Sequence, residues 1–359
     1  MSMLDVLIIG TGQAGLAAAY FLKQKGIPLM LIDKAKALGD SWRNRYDSLQ
    51  LFTPRNYSRL PGLDLPGDPN GLPTKDEVAA YLSEYALTFD FPIQLDTEVK
   101  SLTSIPRGFE VETSRGTIQS KNVIVATGPF HKPYVPAISQ SISNDTTQLH
   151  SSAYRNPGQL TPGSVLVVGA GNSGAQIAVE LSNDFDVYLS ASNQLHFKPL
   201  YILGKSIFWY YDKLGFLQAG NHTKRGKWLR QQPEQIYGYQ LKQRLKEGKI
   251  KRFPRAASAE SRTVFFADDH YIEADNIIWA TGFRPDFSWI QINHLFNEHQ
   301  EITQFNGISN IPGLYFIGLP WLSCRGSALL GWVQHDARRI AEYINNDLKS
   351  MQLFSPGLI

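Results

Sequence analysis

The sequence predicts an α/β protein built from two parallel-sheet units, each a three-layer ββα arrangement, with the second unit inserted into the first. Three observations predict it. An apolar run, a glycine-rich turn and a helix-forming stretch occur in that order twice, from residue 6 and again from residue 165. Each half later carries an apolar strand that ends in Ala-Thr-Gly, at residues 126–128 and 280–282. The remaining chain between these units is long and lacks a clear period. A repeated supersecondary unit is more informative than either copy alone.

The elements follow in chain order. Residues 6–9 read as a buried parallel strand. Residues 14–25, rich in Ala and Leu, read as a helix closed by Gly26, and 29–32 as the next strand, completing a βαβ unit. Residues 38–73 hold many Gly, Pro, Asn and Asp and read as a long irregular excursion, a kind of segment that is commonly functional. Residues 75–85 look helical. Residues 97–102, 108–112 and 116–120 read as a small β-meander, and 123–126 as another buried strand. Residues 157–162 read as a linker. The pattern then restarts with a strand at 165–168, a helix at 177–181 and a strand at 187–190. A second irregular excursion spans 194–254, followed by a hairpin-like region and a strand at 276–279. Residues 314–317 give a last buried strand and 327–345 a closing helix, expected to open near Ser327-Ala328-Leu329. The expected domains are 1–155 with 283–359, discontinuous, and 156–282, inserted.

The chain has 359 residues, 43% hydrophobic and 19% charged, the balance of an ordinary globular protein with ample core material. A formal net charge of only +3 argues for neither nucleic acid nor a membrane surface as partner. Cys324 is the single cysteine, so no intramolecular disulfide or Cys-pair redox centre can form, which fits a reducing compartment. No segment has the length and apolarity of a transmembrane helix, and the N-terminus carries no signal-like stretch. A cytoplasmic location is the expectation.

The two glycine turns carry the chemistry. Gly10-Thr11-Gly12-Gln13-Ala14-Gly15 follows a strand and opens a helix. The first glycine permits the tight turn, the second lets a pyrophosphate approach the backbone, and the third lets helix and strand pack closely. The helix N-terminus offers free N–H groups and partial positive charge to phosphates. Asp33 ends the second strand, eighteen positions beyond Gly15. A carboxylate there can accept hydrogen bonds from a ribose diol. Gly169-Ala170-Gly171-Asn172-Ser173-Gly174 repeats the turn. Both units are therefore read as Rossmann-like dinucleotide-binding folds. Two intact turns imply two dinucleotides, most simply a flavin (FAD) and the nicotinamide that reduces it (NADH or NADPH). The position that matches Asp33 in the second unit is Ser192, followed by Asn193. A carboxylate would favour NADH and an arginine NADPH. These residues do neither, so weak discrimination is expected, with Lys198 and Lys205 able to tilt it toward NADPH.

The paired turns, Asn172-Ser173 within the second, and the run from Ala280 to Asp286 resemble the flavin-containing monooxygenases, in particular the small bacterial members, a class B flavoprotein monooxygenase type. Gly39-Asp40-Ser41-Trp42 is similar to the family's flavin segment, and Tyr46-Asp47-Ser48-Leu49 and residues 313–318 also match. The resemblance covers nearly the whole chain. Only the second half of the family fingerprint is present: His150 and Tyr154 match it, whereas Asn144 and Thr146 stand where Phe and Gly are expected. His150 is read first as a buried structural histidine at the domain junction. The resemblance implies a flavin flanked by Lys34, Ser41, Trp42, Val99, Ala126, Thr127, Gly128, Gly318 and Leu329. It also implies hydride transfer from NAD(P)H to the flavin and a C4a-(hydro)peroxyflavin that oxygenates a sulfide, an amine or, in a Baeyer-Villiger reaction, a ketone. The partners are then a small-molecule substrate and O2, with a homodimer as the assembly to test.

Phe52 is the catalytic candidate. It aligns with a position that is often asparagine in relatives, at the reactive edge of the flavin. Phenylalanine cannot hydrogen-bond, so the oxygenated intermediate would be short-lived and more NAD(P)H would be lost as peroxide. The alternative is that Phe52 packs in the core. Residues 221–255 hold eleven Lys or Arg and only Glu234 and Glu247 as acids. A solvated helical face is the first reading, attraction of an anionic cofactor the second. Trp209, Tyr210, Tyr211 and Trp228 could line a substrate cavity or simply belong to the core. No metal spacing and no nucleophile turn occur. Two other functions stay open: an NAD(P)H oxidase or reductase that oxygenates nothing, and a non-enzymatic flavoprotein that senses redox state.

Overall fold

A computed structural model describes residues 3–192 and 194–353. Two sheets dominate it. The first runs in the order Gln304–Phe305, Ile308–Ser309, Leu314–Phe316, Gly116–Val125, Leu4–Ile9, Leu29–Ile32, Ile93–Gln94. Its centre is parallel, with Ile8 opposite both Ile124 and Leu31. Those central strands are buried on both faces, which is why they read as unbroken apolar runs. The helices Gln13–Gln24 and Val333–Leu353 pack together on one face, and the hairpin Val99–Ile105 with Gly108–Thr113 lies on the other.

The meander and the strand at 123–126 are not separate. Gly116–Val125 is a single strand whose first half pairs with Gly108–Thr113 and whose second half enters the parallel sheet. Ser120 marks the change of partners: its hydroxyl donates to the Asn122 carbonyl at 2.7 Å.

The second sheet is fully parallel, in the order Ile250–Phe253, Asp186–Ser190, Ser164–Val168, Asn276–Trp279, Thr147–His150. The helices Asn172–Leu181 and Gln240–Lys246 cover one face and a three-stranded antiparallel sheet from 256 to 273 covers the other. The strand Thr147–His150 thus lies at the edge of the second sheet, although its residues fall within the 1–155 segment. The two connecting stretches pair with each other, Lys132 opposite Arg284 and Pro133 opposite Phe283.

Two sequence expectations need correction. The closing helix begins at Val333, not near Ser327. Residues 320–332 are instead tied down in turns: Ser327 Oγ accepts the N–H groups of Ser323 and Cys324, both at 3.1 Å, and the Gly326 N–H donates to the Leu217 carbonyl at 2.9 Å. Gly331 packs directly on the Tyr57 carbonyl, where a side chain would collide at 2.2 Å. The second excursion, expected to be irregular, forms short helices at Ile207–Lys213, Lys224–Arg230 and Gln240–Lys246 and the strands His196–Lys198 and Gln235–Tyr237. Each is too short to display a period in sequence. The first excursion holds only the short helix Asp40–Arg43 and one 3₁₀ turn.

Candidate functional site

The two glycine turns are built alike. The N–H of Gly10 donates to the Ile32 carbonyl at 2.8 Å, and that of Gly169 to the Ser190 carbonyl at 2.9 Å. In both units the strand that ends in Ala-Thr-Gly crosses behind the turn. A β-carbon on Gly10 would lie 2.6 Å from the Ala126 carbonyl oxygen, and one on Gly169 would lie 2.3 Å from that of Ala280. Gly15 and Gly174 meet the carbonyls of Gly10 and Gly169 just as closely, at 1.9 and 2.0 Å. Both following helices start without a side-chain cap and without an acid in the first turn. Their N-terminal N–H groups thus carry no side-chain cap, the condition of an anion site.

Asp33 is drawn into the first turn. Its Oδ2 accepts from the Thr11 N–H at 2.6 Å and the Thr11 hydroxyl at 2.9 Å, and its Oδ1 accepts from the Ala35 N–H at 2.8 Å. Three donors fix the carboxylate, and its oxygens keep acceptor capacity for a diol. Thr11 was not singled out from sequence, although it lies within the glycine turn. Lys34 is exposed next to it, and Val99 is half-buried at the start of its strand.

Gln13 joins three of the expected segments. Its Oε1 accepts from the Trp42 indole N–H at 3.1 Å, and its Nε2 donates to the Ala328 carbonyl at 3.2 Å. The loop containing Leu329 is therefore docked on the first glycine turn through one glutamine. Gly318 sits against the same helix, with its missing side chain 2.7 Å from the Ala14 methyl. Ser41 is exposed in the short helix, and its carbonyl accepts from Arg45 Nε at 3.0 Å. Thr127 and Gly128 continue the strand end. The Thr127 hydroxyl lies 3.1 Å from His131 Nε2, and His131 Nδ1 accepts the Asp286 N–H at 2.7 Å. Burial lowers the His131 pKa below its ordinary value.

In the second turn Asn172 looks inward to the fold. Its Nδ2 donates to the Gln235 carbonyl and its Oδ1 accepts the Tyr237 N–H, both at 3.1 Å. Ser173 is exposed and lies within hydrogen-bond reach of the Tyr46 hydroxyl, which also donates to Gln176 at 2.9 Å. Burial pushes Tyr46 up to about 12. Ser192 is exposed just past the strand end, and Asn193 lies outside the described residues.

Each excursion packs into the opposite unit. Tyr46 belongs to the core of the second unit, and Gln176 donates to the Gln50 carbonyl at 2.9 Å. In return Asn221 Nδ2 donates to the Trp321 carbonyl at 3.1 Å. Where the excursions meet, Phe52 is half-buried in an aromatic cluster. Its ring stacks on Tyr237 at 4.8 Å and on Phe208 at 5.9 Å, and Trp332 stacks on Tyr57 at 5.6 Å. Leu329 packs against the same group. Arg325 donates to the Tyr237 hydroxyl at 3.1 Å. Tyr237, Arg325 and Trp332 carried no signal in sequence.

His150 fits its structural reading. Nδ1 accepts the Ser152 N–H at 3.1 Å, so Nε2 carries the proton and donates to the Gly282 carbonyl at 2.9 Å. Its partner in the half-fingerprint, Tyr154, is fully buried and donates to Glu180 at 2.9 Å. Among the described residues no cluster of metal-ligating side chains occurs, and no helix is long and apolar enough to cross a membrane.

Residues 7–198 match the model of the family described as pyridine nucleotide-disulphide oxidoreductase. The chain belongs to that family. A CzcO-like oxidoreductase from Geobacillus kaustophilus is 51% identical over 346 residues, covering 96% of this chain and 98% of that protein. The flavin-containing monooxygenase from Stenotrophomonas maltophilia superposes with a TM-score of 0.81 at 25% identity, over 97% of this chain and all of that one. The resemblance drawn from the motifs therefore stands, and the chain is an oxidoreductase of the flavoprotein monooxygenase type. The bacillithiol disulfide reductase from Bacillus cereus superposes at a TM-score of 0.73 with 17% identity, over 96% of this chain and 100% of that one, which shows the fold alone.

Proposed function

We propose that the chain is an FAD-dependent, NAD(P)H-driven monooxygenase acting on a small sulfide, amine or ketone. In this reading the first glycine turn holds FAD and the second holds the nicotinamide dinucleotide. One observation carries it. Two like-built cradles with uncapped helix N-termini are locked together by reciprocal excursions, and the excursions meet at one aromatic cluster beside the Gln13-docked loop.

The residues present fit FAD. The space over Gly12 is open, with nothing within 4 Å of where a β-carbon would stand. A pyrophosphate can therefore reach the backbone and the helix N-terminus. Asp33, fixed by Thr11 and Ala35, would take the ribose hydroxyls. Gln13 fixes the spacing between the turn, Trp42 and the loop at 328–329. When bound, the flavin supplies the redox chemistry that passes electrons from nicotinamide to dioxygen and one oxygen atom to substrate. The protein's part is to bind, orient and exclude water. Phe52, Tyr237 and Phe208 make an apolar wall for that purpose. No side chain is needed as nucleophile, and Cys324, buried beside Ser327, serves the packing of its turn.

Exposed Ser192 neither repels nor pairs a 2′-phosphate, so both reductants serve. The test is stoichiometric. Flavin-loaded protein is given NADPH or NADH, oxygen and an aryl methyl sulfide. Sulfoxide formed in proportion to the reductant consumed supports the reading. A second reading is favoured by one feature: Phe52 cannot hydrogen-bond and is flanked by two further rings. If peroxide accounts for all reductant consumed with sulfides, amines and ketones alike, the protein is an NAD(P)H oxidase.

A further inference from the structure

The two glycine cradles differ over their middle glycines. Over Gly12 the space is empty, whereas over Gly171 it is filled by a carboxylate. The position of a β-carbon on Gly171 lies 3.1 Å from Glu234 Oε1 and 3.7 Å from Oε2. The middle glycine of such a turn is the point where a dinucleotide pyrophosphate approaches the backbone. Glu234 therefore places negative charge where a ligand's phosphates would lie, at the N-terminus of the helix Asn172–Leu181. Glu234 is exposed, and it is one of only two acids in a stretch with eleven basic residues.

Its backbone is anchored. The next residues are latched to the turn, because Asn172 bonds the Gln235 carbonyl and the Tyr237 N–H. The latch holds the strand Gln235–Tyr237 beside the cradle and presents the glutamate from its leading end. Only the Glu234 side chain has to move for the cradle to open.

We infer that Glu234 obstructs the pyrophosphate position: its carboxylate lies over Gly171 at rest, must be displaced by the nicotinamide dinucleotide, and lowers the affinity for that ligand. This rests on the assignment of the second cradle to NAD(P). The penalty comes from the pyrophosphate, which NADH and NADPH share, so it weakens both equally and does not discriminate between them.

The test is calorimetric titration of the flavin-loaded protein with NADP⁺ and with NAD⁺, which bind without turnover. Glu234→Gln keeps the shape and removes the charge. It is expected to tighten both ligands by the same factor, about three- to tenfold at low salt. The gain should shrink as salt is raised from about 0.05 to 0.5 M, since screening weakens charge effects and leaves steric ones in place. Glu247→Gln is the control. Glu247 is the other acid of the stretch and pairs with Arg244 at 3.5 Å, so no change in affinity is expected. Unchanged or weaker binding by Glu234→Gln, while the wild type binds normally, overturns the role of Glu234 and leaves the NAD(P) assignment intact. A gain that ignores salt also overturns it. Failure of both proteins to bind either nucleotide overturns the assignment and the inference together.

Discussion

Alanine at Gly12 and at Gly15 should give opposite failures. Gly12 has an extended backbone, φ −73° and ψ −175°, which any residue adopts. A β-carbon there touches nothing within 4 Å. Gly12→Ala should therefore leave the flavin-free protein within about 0.5 kcal/mol of the wild type. Its methyl group would occupy the space needed by the pyrophosphate, and flavin should be lost. At Gly15 the added carbon would stand 1.9 Å from the Gly10 carbonyl oxygen, more than 1 Å inside normal contact, and that oxygen belongs to the rigid backbone. Relief requires moving the first helix off its sheet, at a cost of about 1–3 kcal/mol or more. Gly15→Ala should be destabilised with or without flavin. The assay is urea unfolding of flavin-stripped proteins, with flavin content read from the visible absorbance of the purified ones. The wild type should also gain about 2.7 kcal/mol from flavin at a hundredfold excess over its Kd, and Gly12→Ala should gain none. If Gly12→Ala purifies yellow with a full complement of flavin, the first cradle does not hold the pyrophosphate.

Phe52→Asn should raise the oxygenated product formed per NAD(P)H and lower peroxide, and should cost about 0.5–1.5 kcal/mol of stability through the lost ring stacking. Equal coupling in the two proteins would place Phe52 away from the reacting edge. Asp33→Ala should weaken flavin binding at least tenfold by removing the acceptor held by Thr11 and Ala35, and unchanged binding by fluorescence titration would refute the ribose contact. kcat/KM for NADH and NADPH should differ by less than about a hundredfold, because a small exposed serine stands where a carboxylate or arginine would discriminate. Stability should fall with acid in the histidine range. Burial lowers His150, as it does His131 and His335, so folding favours the neutral forms. That contribution is full above about pH 6.5 and is lost as pH falls through the lowered folded values. Denaturant melts from pH 7.5 to 5 should show the decline, and His150→Gln should flatten part of it.

What was legible in the sequence was the part governed by backbone sterics. Gly10, Gly15, Gly169 and Gly174 sit where a carbonyl leaves no room for a side chain, and such demands show as fixed glycine spacing. Buried parallel strands show as unbroken apolar runs for a similarly local reason. The rest is decided by contacts far apart in the chain. Tyr237 meets Phe52, and Gln13 meets Ala328, through packing that no period announces. In sequence Glu234 is only one of two acids in a basic run, because its relation to Gly171 exists only once the strand Gln235–Tyr237 is latched by Asn172. The closing helix starts later than its sequence suggests for the same reason. Ser327 to Trp332 have acceptable helix propensity, but Gly326 and Gly331 commit their backbone to Leu217 and Tyr57.

The reciprocal excursions also bear on how two bound dinucleotides would meet. Tyr46, carried by the first unit, is 4% exposed within the core of the second, with its hydroxyl on Gln176. Pulling the units apart would return that ring to water, at a cost of about 2 kcal/mol for the apolar area of one such side chain, before any hydrogen bond is counted. The pairing of Lys132–Pro133 with Phe283–Arg284 adds a second tie at the crossing of the two connecting stretches. Asn221 and Leu217 add further ties from the other excursion, to Trp321 and Gly326. A large swing of one unit would have to break these ties together. Under the proposed assignment, the parts left free to move near the two sites are small: the Glu234 side chain, over the second cradle, lies at one end of the latched strand, and the Tyr237 ring, stacked on Phe52, lies at the other. Two units so joined can keep their nucleotide sites in fixed register and leave gating to side chains.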